Sequence, residues 1–137
     1  MPAVAGYSGT PLTKKLGIKE GSRLALLAAP EGFGATLGEL PPRVEIRTQA
    51  RGAFDVVVFF TTKRAELERR LDALTRAIHP AGGLWVAWPK RASRVPTDLD
   101  ENQVRDVALP RGLVDNKVCA IDETWSGLRL VIRKSNR

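Results

Sequence analysis

The sequence has 137 residues, of which 43% are hydrophobic and 27% are charged. These values are typical of one globular domain, and they exclude a chain that is disordered as a whole. The formal net charge of +7 is spread along the chain rather than collected in a basic tail, and the single cysteine, Cys119, excludes an internal disulfide. We expect residues 1–137 to form a single domain, with residues 1–9 as a loosely ordered N-terminal extension.

The first half of the sequence predicts short helices and three strands. A helix is predicted after Thr10-Pro11, because threonine caps helices and proline suits the first helical position. Strands are predicted at residues 23–29, 44–47 and 54–60. The first and third are nearly continuous apolar runs, which are typical of strands buried on both faces of a sheet. A short helical stretch is predicted at residues 35–40.

The second half predicts two longer helices with a strand between them. Apolar residues at four- and three-residue steps predict a helix over residues 63–78, with one apolar stripe facing the sheet. A strand at residues 84–88 and a polar loop at residues 90–97 follow. The segment Thr97-Asp98-Leu99-Asp100 has the form of a capping box and predicts a helix that ends at about Leu109.

The last two predicted elements are strands at residues 114–121 and 128–133. In the second of these, apolar residues alternate with Arg129 and Arg133, which indicates the half-exposed edge of an antiparallel pair. Alternating strands and helices followed by a hairpin predict an α/β fold of three layers. Its sheet is Rossmann-like and mostly parallel, and it ends in an antiparallel C-terminal β-hairpin.

Four segments of the sequence resemble one bacterial family. They read AGYSGTPL at residues 5–12, APEGF at 29–33, WPK at 88–90 and VCAIDETWSGL at 118–128. In these segments the sequence is similar to the family catalogued as domain of unknown function 3052. The likeness covers nearly the whole chain, but the family has no assigned activity, so the resemblance implies no mechanism.

The layout also resembles a trimmed class I methyltransferase, with residues 80–83 as a Pro-Gly-Gly-type turn and a closing hairpin. Those enzymes place an acid, a spacer and a Gly-x-Gly turn after the first strand. They also place a carboxylate at the end of the second strand to hold the ribose of S-adenosylmethionine. Here the first loop is Glu31-Gly32-Phe33-Gly34 without the spacer, and the second strand ends in Arg47-Thr48. We therefore expect no cofactor, and S-adenosylmethionine is the alternative.

Ligands in open α/β sheets bind beyond the carboxyl ends of the parallel strands, and that rule predicts where a site would lie. The segment after the third strand precedes a helix, whose free N–H groups and neighbouring cations would favour an anion. The candidate ligand-binding residues are Glu31, Gly32, Gly34, Thr61, Thr62, Lys63, Trp88 and Lys90. The alternative interpretation is that Thr62 only caps its helix and that Trp88 only fills the core.

Other chemistry-bearing residues have structural interpretations. Trp125 lies in the predicted hairpin connection and is a candidate interface residue, although such a side chain more often covers the end of a core. His79 is interpreted as a helix-end residue, and Cys119 as a buried free thiol. We predict no catalytic residue and no metal site.

The function that the sequence favours is a non-catalytic, methyltransferase-like domain that binds a protein partner or a small anionic ligand. An S-adenosylmethionine-dependent methyltransferase is the enzyme alternative. Weak association with nucleic acid through diffuse basic charge is the second alternative, although no nucleic-acid-binding motif supports it. The sequence has no secretory signal and no apolar run of membrane-spanning length, so we expect a cytoplasmic location without membrane contact.

Overall fold

The computed structural model describes residues 9–137, so residues 1–8 of the predicted N-terminal extension lie outside the described residues. The strands are β1 (Arg23–Leu27), β2 (Glu45–Arg47), β3 (Val56–Phe60), β4 (Gly83–Pro89), β5 (Leu113–Ala120) and β6 (Trp125–Ile132). They form one sheet in the order β2-β1-β3-β4-β6-β5. Strands β1 to β4 are parallel, and β6 is antiparallel to both β4 and β5. The predicted Rossmann-like sheet with an antiparallel C-terminal hairpin is confirmed.

Helices cover both faces of this sheet. They are α1 (Leu12–Leu16), α2 (Phe33–Leu37), α3 (Arg64–Ile78) and α4 (Glu101–Ala108), with short 3₁₀ turns at Arg91–Ser93, Leu109–Arg111 and Lys134–Asn136. The first two helices pack on one face, and α3 and α4 pack on the other, so the predicted three layers are confirmed. Among residues 9–137, none of the helices has the length and apolar character that crossing a bilayer requires.

The central strands are apolar along their whole length because both of their faces are covered. Every residue of β3 and β4 is buried. In β3, Val57 and Phe59 point into the core under α3 and α4, whereas Val58 and Phe60 point into the core under α1 and α2. Alternate side chains of a strand point to opposite faces, so one strand contributes to two hydrophobic cores.

Several strands differ from the prediction: β3 begins two residues late, at Val56, and β6 begins three residues early, at Trp125. Strand β1 ends at Leu27, two residues early, because Ala28 has a φ of 58° and cannot continue an extended chain. Strand β6 was predicted to be an edge, but it lies inside the sheet between β4 and β5. The edge strand on this side of the sheet is β5, where Val118 is 51% exposed.

The helix caps also differ from the prediction. Helix α1 has Pro11 at its N-cap position, so the predicted cap residue, Thr10, lies one position before the cap. Helix α4 is capped by Asp100, which accepts a hydrogen bond from the Gln103 N–H at 2.8 Å. The predicted capping box is therefore wrong. Its first two residues act on α3 instead: Thr97 Oγ1 donates to the Thr62 carbonyl at 2.6 Å, and Asp98 Oδ1 accepts from the Arg64 N–H at 2.8 Å.

The Asp98 contact predicts a measurable loss of stability. In Asp98→Ala, the Arg64 N–H loses its acceptor, and the free energy of unfolding should fall by about 1 kcal/mol, as for other helix caps. Urea unfolding measures this change. The control is Glu39→Ala, which removes an exposed acid outside any helix start and should change stability by less than about 0.5 kcal/mol. Equal losses in the two variants would contradict the capping role.

Candidate functional site

The topology of the sheet selects one place for a ligand. The chain runs from β1 to β2 on one side and then returns to β3 on the other side of β1, so the strand order reverses between β1 and β3. Ligands of open α/β sheets bind in the crevice at such a reversal, outside the carboxyl ends of the strands. The two loops there are residues 28–32 and 61–63. They contain the predicted site residues Glu31, Gly32, Thr61, Thr62 and Lys63, and Gly34 follows in α2.

The loop after β1 has an unusual backbone that exposes its main chain. Ala28 and Gly32 have φ angles of 58° and 84°, and Gly32 directly precedes α2. A left-handed conformation costs a non-glycine residue about 1–2 kcal/mol, so the conformation of Ala28 is imposed by its surroundings. A Cβ atom built on Gly32 or Gly34 would meet nothing within 4 Å. The backbone of this loop is therefore open to close approach by a flat ligand.

An aromatic row closes one side of the carboxyl edge. The rings of Phe33 and Phe60 meet edge to face at 4.9 Å, and those of Phe60 and Trp125 at 5.1 Å. Phe33 and Phe60 are buried, and Trp125 is half-buried against the same core. Trp125 thus covers the end of the core, as the structural interpretation expected, and its role as an interface residue stays a prediction.

The start of α3 already has partners for its first amide groups. Thr61 is buried; its hydroxyl accepts from the Lys63 N–H at 3.2 Å and donates to Glu66 Oε1 at 2.5 Å. The Arg64 N–H is bonded to Asp98, as described above. Thr62 makes no capping bond, because the residue at the N-cap position is Lys63. An anion here would therefore be held by the exposed Lys63 side chain rather than by these amides.

The other two predicted site residues, Trp88 and Lys90, lie at the end of β4. Trp88 is buried in the core under α3 and α4 and borders a cavity of about 360 Å³ whose charged lining includes Arg91 and Asp98. The Lys90 N–H donates to the Thr124 carbonyl at 2.7 Å and so joins the end of β4 to the hairpin. Trp88 and the aromatic row therefore belong to opposite faces of the sheet.

A basic cavity at the end of β2 is a feature that sequence reasoning missed as a site. It has a volume of about 340 Å³ and is lined by Arg47, Thr48, Gln49 and Arg51. Arg47 also pairs with Glu45 at 2.6 Å. The sequence did contain a signal for this site: two arginines, Arg47 and Arg51, lie on either side of a short polar loop that follows a predicted strand. None of the lining residues within 9–137 carries a carboxylate, which is the group expected there to hold ribose hydroxyls.

Cys119 is a free thiol, as predicted, but it is only partly buried. The thiol is half-buried, and burial raises its pKa, while the cationic side chains of Lys15 and Lys117 act in the opposite direction. The raised pKa favours the neutral thiol, which is not the nucleophilic form.

Comparisons with solved structures agree with this fold. A SAM-dependent methyltransferase from Aquifex aeolicus has 16% identity and a TM-score of 0.59, with 88% of this chain and 87% of that chain covered. The N-methyltransferase NodS from Bradyrhizobium japonicum WM9 has 13% identity and a TM-score of 0.60, with 90% and 93% covered. Magnesium protoporphyrin IX methyltransferase from Synechocystis PCC 6803, solved with bound SAM, has 10% identity and a TM-score of 0.56, with 90% and 74% covered.

These likenesses define the class of fold: the chain has a methyltransferase-like, Rossmann-like α/β fold. No family model matches the sequence, and no curated protein matches it. Membership in the family called domain of unknown function 3052 therefore stays a prediction.

The two glycines of the first loop should respond differently to the same substitution. Gly32→Ala forces a side chain into a left-handed conformation and should lower the free energy of unfolding by about 1 kcal/mol. Gly34→Ala lies within α2 with open space around it and should raise that free energy by about 0.4–1 kcal/mol. Thermal or urea unfolding of the two variants measures the difference. A stabilised Gly32→Ala protein would contradict the described loop conformation.

Proposed function

We propose that this protein is an S-adenosylmethionine-dependent methyltransferase whose methyl donor binds at the carboxyl edge of the sheet, beside the loop after β1. The observation that carries this proposal is the strand order, which reverses between β1 and β3 and ends in an antiparallel hairpin. The solved neighbours support it, because they include methyltransferases with the same arrangement over most of both chains. They favour this function over the non-catalytic role that the sequence suggested.

The residues of the first loop fit a donor of this kind. The open backbone at Gly32 and Gly34 leaves room for a ligand to lie against the main chain. Among residues 28–32, 48–52, 61–65 and 90–94, which follow the parallel strands, Glu31 is the one acid. Its exposed carboxylate would bind the donor's ammonium or hydroxyl groups. When bound, S-adenosylmethionine supplies an electrophilic methyl group on a positively charged sulfur.

Lys63 complements Glu31 on the other side of the reversal point. Its side chain is exposed at the start of α3, and the amides beside it are already bonded. An exposed ammonium group at this position would bind the donor's carboxylate as a point charge. The two loops would thus hold opposite charges of one amino-acid moiety, while Thr61 keeps the second loop rigid.

Calorimetry with S-adenosylmethionine and its demethylated product tests the proposal. The wild-type protein should bind both in the micromolar range. Glu31→Gln should weaken binding about tenfold, because a hydrogen bond to a charged group contributes about 1.5–3 kcal/mol. The matched control is Glu39→Gln, an exposed acid beyond α2, which should leave the affinity nearly unchanged. Absence of binding by the wild-type protein would overturn the proposal.

The cavity at the end of β2 favours a second candidate, a non-catalytic domain that binds a small anionic ligand. Arg47, which also pairs with Glu45, and Arg51 line this cavity, and their guanidinium groups suit a phosphate on the ribose of a nucleotide. This arrangement departs from the carboxylate expected for S-adenosylmethionine. A phosphorylated nucleoside would satisfy it, and binding alone would then be the function.

Titration with a phosphorylated nucleoside such as ADP separates the two candidates. Under the second candidate, ADP binds more tightly than S-adenosylmethionine, and replacing both Arg47 and Arg51 by Gln weakens ADP about tenfold, since charge-assisted hydrogen bonds are lost. Arg133→Gln removes an exposed arginine at the C-terminal end of β6 and serves as the control. Tight S-adenosylmethionine binding with no ADP binding would eliminate the second candidate.

A further inference from the structure

A second basic cavity lies at the opposite, amino edge of the parallel sheet. It has a volume of about 230 Å³, and its polar lining consists of Lys15, Lys19, Asn116, Lys117 and Arg129. Lys19 precedes β1 in the chain, and the Arg129 guanidinium lies against the first residue of β4, so the cavity is far from the loops after β1 and β3. None of the described residues that line it is an acid.

The guanidinium of Arg129 is the central feature of this cavity. It lies so close to the main chain of Gly83 that a Cβ atom there would be 2.6 Å from its Nε atom. Arg129 is half-buried, and within residues 9–137 it makes no ion pair and no side-chain hydrogen bond. Burial lowers its pKa, and no carboxylate opposes that effect. A partly desolvated charge without a partner is costly unless a ligand supplies one.

The neighbouring cations add to this cost. Lys117 on β5 stands directly opposite Arg129 on β6, and like charges in facing positions of a strand pair are destabilising. Lys15 and Lys117 line the same cavity as Arg129, so several positively charged side chains share one small volume. A group of neighbouring positive charges that destabilises the fold is expected where those charges bind a ligand.

We propose that this cavity binds a phosphoryl group. A phosphoryl group has several acceptor oxygens on one centre, so the Arg129 guanidinium can contact it with two N–H groups while Lys117 and Lys19 contribute point charges. An adjoining cavity of about 400 Å³ shares Gly17, Lys19 and Arg129 but is also lined by the carboxylates of Glu20 and Asp55, so the phosphoryl group is assigned to the smaller cavity, whose described lining residues include no acid. The inference is independent of the proposed methyl-donor site, because the two sites lie at opposite edges of the sheet.

Calorimetry of the full chain with pyrophosphate, in a phosphate-free buffer at low ionic strength, tests this inference. The wild-type protein should bind pyrophosphate. The double variant Lys117→Gln, Arg129→Gln should bind it on the order of tenfold more weakly, because two charge-assisted contacts are lost. The control is Lys14→Gln with Lys134→Gln, which removes the same charge from exposed positions outside the cavity and should change affinity by about twofold or less.

The calorimetry distinguishes a specific phosphoryl-binding site from non-specific attraction to the net positive charge of the protein. No binding by the wild-type protein, or equal weakening in the two double variants, would overturn the proposal. Urea unfolding of Lys117→Gln adds a second measurement: removing a facing like charge should keep or raise stability while it weakens binding. A loss of stability at low ionic strength would instead indicate that Lys117 is structural. S-adenosylmethionine binding should be unchanged in these variants, so the two proposals fail separately.

A second experiment tests whether the phosphoryl group belongs to a nucleic acid or to a small molecule. Fluorescence anisotropy with a labelled single-stranded oligonucleotide measures binding to a phosphodiester backbone, which should weaken steeply with added salt. Loss of oligonucleotide binding in the cavity variant alone would assign the site to nucleic acid. Binding of pyrophosphate without the oligonucleotide would assign it to a small phosphorylated molecule.

Discussion

The burial of β3 and β4 on both faces is the constraint on which the rest of the structure depends. Every side chain of these two strands is covered, on one face by α1 and α2 and on the other by α3 and α4. Helix layers on both faces leave only the edges of the sheet for ligands. The switch-point loops and the basic cavity beside Arg129 lie at the two opposite edges for this reason.

The same constraint explains which elements the sequence could predict. Continuous apolar runs at residues 23–29 and 54–60 identified buried strands correctly, because burial on both faces determines composition residue by residue. The alternation in β6 was misread as an edge. Alternation reports that one face of a strand is partly open, and in β6 Arg129 and Val131 are half-buried while Leu128, Leu130 and Ile132 between and beside them are buried. Lateral position in the sheet depends on partner strands, which no local pattern encodes.

The candidate site was predictable in position but not in its contacts. The order of strands and helices was enough to select the loops that contain Glu31 and Thr61. The capping of α3 could not be predicted in this way, because Asp98 and Arg64 are 34 positions apart in the chain. Local rules assign an acid to the nearest helix, and here the nearest helix was capped by Asp100. The Arg64 amide, which sequence reasoning left free for an anion, is consequently occupied.

The loop after β1 shows how such a scaffold can hold a shape that its residues do not prefer. Ala28 has a left-handed backbone that glycine would adopt without strain, and its cost must be offset by contacts nearby. The far end of the loop is fixed by Phe33, whose ring packs against Phe60 at the end of β3. Because that contact belongs to the buried core, it can hold the turn between Ala28 and Gly32 in one conformation. The open main chain at Gly32 is then presented by a rigid support, which is what close approach of a ligand to backbone requires.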